Sequence, residues 1–262
     1  MTPDFFARGW QIFAPERAVL EWVRHAAPYA KAALDDPVNA AQWQCEGTWF
    51  VGLEALANDA NGQIGEGPPL AGAAVAFARD LCGVMPPLHH AQLSVIRPGY
   101  PQPRTGETDA AFRYRLNRDA AHVDGILGLG QPKRRYLREP HGFVLGLPLN
   151  DASVEAAPLV VWEGSHEIMR TALRAALTGH ARANWYDVDV TDAYVTARKT
   201  CFETCRRVAV HVPPGGAYVI HRLALHGVAP WGGTATSDPL GRMIAYLRPD
   251  LPGGLFDWLN LS

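Results

Sequence analysis

Residues 118–130, "RDAAHVDGILGLG", place His122 and Asp124 one residue apart. In an extended backbone, residues i and i+2 point the same way, so both side chains reach one ion while Val123 turns into packing. A neutral imidazole and a carboxylate suit a divalent first-row metal such as Fe(II). Two histidines and one carboxylate on one face of that ion leave other positions open, the arrangement of non-haem iron oxygenases. A loop histidine bonded to a nearby carboxylate would use the same two residues, so the missing ligand decides the matter. The chain has ten histidines. His226, in "VIHRLALHGVAPW", ends a strand-like run and is followed by Gly227; His221, earlier on the same segment, is its competitor. Ligands so far apart in sequence suit a β-barrel, where distant strands become neighbours.

The elements that must carry these side chains give the chain two textures. Residues 1–90 read mostly as helix. "PERAVLEWVRHAAPYAKAAL" tolerates Pro15 at a first turn and begins an apolar stripe with Val19, Leu20, Trp22 and Val23. "GPPLAGAAVAFARDLCG" is opened by prolines and closed by Gly83, and Asn61-Gly62 marks a turn between the two. After residue 90 short strands prevail: "QLSVIRPGYPQ", "AFRYRL", "HGFVLGLPLND", "APLVVWEGSH", "RRVAVHVPPGG", "AYVIHRLALHG" and "GRMIAYLRP". Helices interrupt them at "HEIMRTALRAALTG", N-capped by Ser165 and ended by Gly179, and at "TDAYVTARKTCFETC". The expectation is one domain over 1–262, mainly β with flanking helices: helical support at 1–90 and a sandwich or barrel at 91–250. No regular strand–helix alternation, phosphate loop or dinucleotide fingerprint is present, which argues against a nucleotide-binding parallel sheet.

Composition narrows the partners. With 48% hydrophobic and 19% charged residues, the chain can build a packed core. A net charge of −2, from 24 basic and 26 acidic residues, gives no reason to expect nucleic acid or an anionic membrane, and points to a small-molecule substrate. No stretch approaches the roughly 18 apolar residues of a membrane span. The N-terminus has no export pattern, so a cytoplasmic location is expected, with Cys45, Cys82, Cys201 and Cys205 as reduced thiols. Cys201 and Cys205 could share a helix face as a metal pair, but buried small hydrophobes is the plainer reading.

Taken together, "HVDG", "LGLPLNDAS...APLVVWEGSH", "PPGGAYVIHRLALHGVAPW" and "GRMIAYLRP" resemble, in order and spacing across roughly residues 90–250, the phytanoyl-CoA dioxygenase-like branch of the Fe(II)/2-oxoglutarate oxygenases. The resemblance implies a double-stranded β-helix, a jelly-roll barrel related to cupins. It puts His122, Asp124 and His226 on the Fe(II) ligands, with 2-oxoglutarate as co-substrate and O₂ as oxidant. It implies hydroxylation of a small molecule with release of succinate and CO₂. The rival from another class is a cupin-like metal-binding barrel, an isomerase or binding module without oxygenase activity. The family also implies an arginine that binds the far carboxylate of 2-oxoglutarate, usually about ten residues past the distal histidine. Here Arg242 is the first arginine after His226, beyond the lengthened loop "WGGTATSDPL", and Arg248 shares its parity. A guanidinium fork matches a carboxylate with two parallel hydrogen bonds. His166, in "GSH", reads as structural. Arg115 and Trp162 are candidates for the substrate mouth, and "GILGLGQPKRRYLREPHG" is a candidate lid.

Overall fold

An apolar residue every three or four positions makes a helix with one sticky side, and the first long helix obeys this rule. In the computed structural model, which describes residues 3–261, α1 (Pro3–Arg8) and strand β1 (Trp10–Phe13) precede α2 (Arg17–Asp35). Helix α2 buries Val19, Trp22, Val23, Ala26, Ala30 and Ala33. Glu16, just ahead of it, caps a different helix: its carboxylate accepts from the Ala73 amide at 2.7 Å, at the start of α3 (Ala73–Cys82). Opposite charge against a helix N-terminus is stabilising, and here it also ties two helices together.

The helical reading of the first ninety residues is corrected by the strands among them. Besides β1, they contain β2 (Trp43–Gln44) and β3 (Trp49–Leu56). "WFVGLEAL" is rich in aromatic and β-branched residues, with Trp49 and Val51 on one face and Phe50 on the other, which is strand chemistry. All three strands join the larger sheet.

Next come β4 (Ala91–Ile96), α4 (Asp109–Asn117), β5 (Ile126–Leu129), β6 (Arg134–Leu137), β7 (Phe143–Pro148) and β8 (Leu159–Trp162). They are followed by α5 (Ser165–Leu177), α6 (Thr191–Thr204), β9 (Arg207–Val210), β10 (Ala217–His221), β11 (His226–Val228), β12 (Arg242–Leu247) and α7 (Gly254–Asn260). A seven-stranded sheet runs β1-β10-β7-β12-β4-β3-β2, and a three-stranded sheet runs β11-β8-β9. Strands β5 and β6 form a separate hairpin, and the pairings are antiparallel.

The two sheets pack face to face. Val144, Tyr218, Ile220 and Ile244 of the larger sheet meet Leu159, Val161 and Val210 of the smaller. The larger sheet's other face, with Leu93, Val95, Leu145, Leu147, Val219 and Met243, is covered by α2 and α3. Behind the smaller sheet, Val160 and Trp162 pack against residues of α5, α6 and α7. Strand β7 is therefore buried on both faces and reads as an unbroken apolar run. Among the described residues, no helix is long and apolar enough to cross a membrane.

Three further expectations change. "AFRYRL" lies in α4, where Thr108 Oγ1 accepts from the Ala111 amide at 3.3 Å and Asp109 stands in the first turn. Six alternating residues are too few to outweigh an N-terminal cap of that kind. Ser165 is the first residue of α5, and Gly164 occupies the cap; the Ser165 hydroxyl accepts from the Leu225 amide at 2.8 Å instead. "AYVIHRLALHG" is two strands, β10 and β11, which belong to different sheets. The turn between them is closed by the Ala224 amide donating to His221 O at 2.8 Å.

Candidate metal centre

Backbone pairing brings two of the three predicted ligands together. His226 opens β11 and pairs with Val161 of β8 on one side. On its other side it forms a bridge with His122: each residue's amide donates to the other's carbonyl, at 2.8 and 3.0 Å. Directly opposed residues of an antiparallel pair project side chains to the same face. The two imidazoles therefore face the same space, with ring centroids 4.7 Å apart. Asp124, two residues past His122, shares that face. The ligand atoms of His122, Asp124 and His226 all lie within 4.8 Å of one another.

A glycine follows Asp124 and another follows His226, each for a visible reason. Gly125 has φ +83°, and a Cβ there would run into the Glu139 carbonyl. A Cβ on Gly227 would run into the Asp119 carbonyl. Glycine thus allows the chain to pass closely behind each metal ligand.

Hydrogen bonds set the tautomers. His122 Nδ1 lies 3.0 Å from Ala120 O and His226 Nδ1 lies 2.9 Å from Ala224 O. A carbonyl only accepts, so both Nδ1 atoms donate, and in the neutral rings both Nε2 atoms carry lone pairs. Those lone pairs face a carboxylate: His122 Nε2 is 3.2 Å from Asp124 Oδ1, and His226 Nε2 is 3.7 Å from Asp124 Oδ2. Burial pushes the His226 imidazole down to about 4, against the pull of Asp124, so it is neutral at neutral pH. Burial opposes ionisation of Asp124, but Arg248, His226 and His122 hold its carboxyl well below the usual range. Burial works against a proton on His122, but Asp124 beside it raises its pKa; a divalent cation would take that proton's place, and two imidazoles with one carboxylate converging on one point form a donor set that fits it.

Arg248, the alternative to Arg242 for the co-substrate carboxylate, lies beside the three candidate ligands. Its Nη1 donates to Asp124 Oδ2 at 3.1 Å and its Nη2 donates to Gln92 Oε1. Its parity with Arg242 was visible in the sequence; its grip on a side chain across the barrel was not. The "GSH" segment is structural, as expected: Ser165 holds the Leu225 amide just before His226, and His166 Nε2 donates to Phe6 O at 2.9 Å. His221 points to the opposite side of the larger sheet, against Phe5 and His166, and takes no part in the site.

The metal residues stand between two spaces. Outward lies a cleft of about 640 Å³ with polar walls that include His90, Arg135, Glu139 and His141. Inward lies a hollow of about 200 Å³ lined mostly by apolar side chains such as Trp49, Val51, Val144 and Leu159. His122, Asp124, Gln92, Tyr246 and Arg248 border both. At the start of β12, Arg242 is buried, and its Nε and Nη2 have no hydrogen-bond partner. It borders a separate cavity of about 20 Å³ together with Tyr218, Asn150 and His211. Tyr218 donates to the Tyr246 hydroxyl at 2.9 Å, which links the walls of the two chambers.

The two substrate-mouth candidates lie elsewhere. Arg115 is buried in α4, ion-paired with Glu107. Trp162 packs behind the smaller sheet, its ring centroid 5.2 Å from that of Phe202. Parity explains the second case, because Val161 already occupies the barrel face of β8. Among the described residues that border the cleft and the hollow, neither appears.

No family model matches the sequence, and no curated protein matches it either. Solved structures do. The non-haem α-ketoglutarate-dependent carbocyclase SnoK from nogalamycin biosynthesis matches over 97% of this chain and 86% of its own, with a TM-score of 0.52 and 15% identity. The epimerase SnoN, solved with Fe³⁺, α-ketoglutarate and nogalamycin RO, matches over 94% and 81%, with a TM-score of 0.50 and 13% identity. Iron-bound EctD from S. alaskensis matches over 94% and 74%, with a TM-score of 0.50 and 18% identity. At these identities the likeness is one of fold: the chain folds as these iron enzymes do.

Proposed function

We propose that this chain is a non-haem Fe(II)/2-oxoglutarate-dependent dioxygenase of the phytanoyl-CoA dioxygenase-like type, hydroxylating a small molecule. Its two stacked sheets are then the halves of a double-stranded β-helix. The observation that carries the reading is the convergence of two imidazoles and one carboxylate at the junction of a polar cleft and an apolar hollow. SnoK and SnoN, which share the fold, are described with α-ketoglutarate, and SnoN and EctD with iron.

His122, Asp124 and His226 would hold Fe(II). A metal held there would bind and activate O₂, whose four-electron reduction draws two electrons from conversion of 2-oxoglutarate to succinate and CO₂ and two from the substrate. The protein's own residues position and shield. Ala120 and Ala224 carbonyls hold the imidazoles in the metal-binding tautomer, and Arg248 orients Asp124. We assign the remote carboxylate of 2-oxoglutarate to Arg242, because its unpartnered nitrogens sit in the barrel interior while Arg248 is already engaged on both forks. The cleft takes the substrate.

Anaerobic Fe(II) titration followed by 2-oxoglutarate tests the reading. The wild-type protein binds both and, in air with ascorbate, releases succinate. Asp124→Ala keeps the fold by circular dichroism and loses Fe(II) binding. Metal binding by the wild type without 2-oxoglutarate binding or succinate release would favour the metal-binding barrel instead.

A further inference from the structure

Strand β3 leaves its ladder where it passes the cleft. Gly52 pairs with Leu93 and Leu56 with Ala91, so Leu53, Glu54 and Ala55 together stand opposite Gln92. Bulges of this kind occur at barrel rims and beside active sites, where they re-aim side chains. Gln92 is also the residue that holds Arg248 against Asp124, so two side chains, Gln92 and Arg248, link the bulge to the metal's carboxylate ligand.

The bulge is strained at one position. Glu54 has φ +55°, the left-handed region that a residue with a Cβ seldom enters. Glycine or asparagine would hold that conformation at less cost, yet a glutamate stands there. Strained backbone clusters at functional sites, and here the strained residue borders the cleft. Its neighbour Leu53 borders both the cleft and the hollow and is 59% exposed, a large apolar side chain held at the mouth.

Charge in the cleft singles out Glu54 further. Arg248 is engaged by Asp124, and Glu139 by His141 at 3.2 Å. Among the described residues, Glu54 has no ion-pair partner. Arg135, which lies 5.8 Å from the Tyr194 ring, has none either. Of the carboxylates on the walls, Asp124 belongs to the metal residues and Glu139 is held by His141, which leaves Glu54 as the one facing the cleft without a partner among the described residues.

We propose that the Leu53–Ala55 bulge selects the substrate and that Glu54 binds a cationic nitrogen on it, which makes the substrate a small polar amine. The proposal rests on the oxygenase reading above. Leu53 covers the carbon skeleton beside the metal, and Glu54 sets the orientation through a charge-assisted hydrogen bond.

The test uses the full chain loaded with Zn(II), a diamagnetic stand-in, and 2-oxoglutarate. A panel of small amines and free amino acids, each paired with its N-acetyl form, is screened by saturation-transfer NMR and titrated. The expected result is that members of the panel bind as free amines and about tenfold or more weakly once acetylated. In Glu54→Gln that preference disappears while 2-oxoglutarate affinity stays unchanged. Glu54→Gly, which relieves the strain and removes the carboxylate, loses the preference too. Three results each overturn the proposal: no amine binds, acetylated and free forms bind alike, or Glu54→Gln keeps the preference. Failure of the wild-type protein to bind 2-oxoglutarate would overturn the oxygenase reading itself, and the proposal with it.

Discussion

Arg242 and Arg248 project from the same face of one extended segment and meet opposite circumstances. Arg248, just past the end of β12, finds two oxygen partners and sits where the cleft meets the hollow. Arg242, at the start of β12, is buried with two nitrogens unpartnered beside a small closed cavity. Same residue type, same extended segment and same parity do not give the same role. A buried guanidinium without partners is costly unless a ligand supplies them. A paired guanidinium is already in use, and its task is to hold its partner.

The largest effect should come from breaking the interior end. Arg242→Ala is expected to raise the KM for 2-oxoglutarate by about 30-fold to 1,000-fold, the loss of roughly 2–4 kcal/mol that follows removal of one member of a buried charge pair. Its Fe(II) affinity should hold. Steady-state kinetics and metal titration measure both, and an unchanged KM would move the co-substrate role to Arg248.

The outer end should respond in the opposite sense and less strongly. Arg248→Met frees Asp124 from its orienting partner and is expected to weaken Fe(II) binding by about 10-fold to 100-fold. Affinity for 2-oxoglutarate should change little once metal is saturating. If this variant lost 2-oxoglutarate and kept its metal, the comparison between the two arginines would be reversed.

A smaller effect belongs to the histidine that lost the competition for the metal. His221 is buried among Arg170, Arg222 and His166, with Glu167 close by; burial, then these positive neighbours, hold it well below its ordinary 6.5. Below pH 6.5 the unfolded chain therefore binds more protons at this residue than the folded one, so stability falls as pH drops. Urea unfolding should give a lower stability at pH 5.5 than at pH 7.5. His166 is shifted in the same direction, by burial first, and adds to the loss. The pH dependence should shrink in His221→Asn, and an undiminished one would assign it to other groups.

The legibility of this molecule followed the range of the interactions involved. His122 and Asp124 could be paired from sequence because strand geometry alone puts i and i+2 on one face. The glycines after them were visible as motifs, but their purpose was not, since the carbonyls they avoid come from Glu139 and Asp119. Strand β3 was missed because helices flank it and its partner β4 lies beyond one of them. "AFRYRL" was misread because a short alternation looks alike on a strand and on a two-turn helix. Arg115 was a substrate-mouth candidate because it precedes the segment leading to His122, and its helix turns it toward Glu107.

By itself the sequence determined the ligand types, the two strand–glycine motifs and the apolar runs that become sheet. These are local properties, set by side-chain chemistry and by the periods of strand and helix. The tertiary structure decided between His221 and His226, because one turn after His221 sends the chain from the larger sheet to the smaller. It also decided which arginine meets the metal carboxylate and that β3 bulges opposite Gln92. Those outcomes depend on which backbone lies across from which, and no local period carries that information.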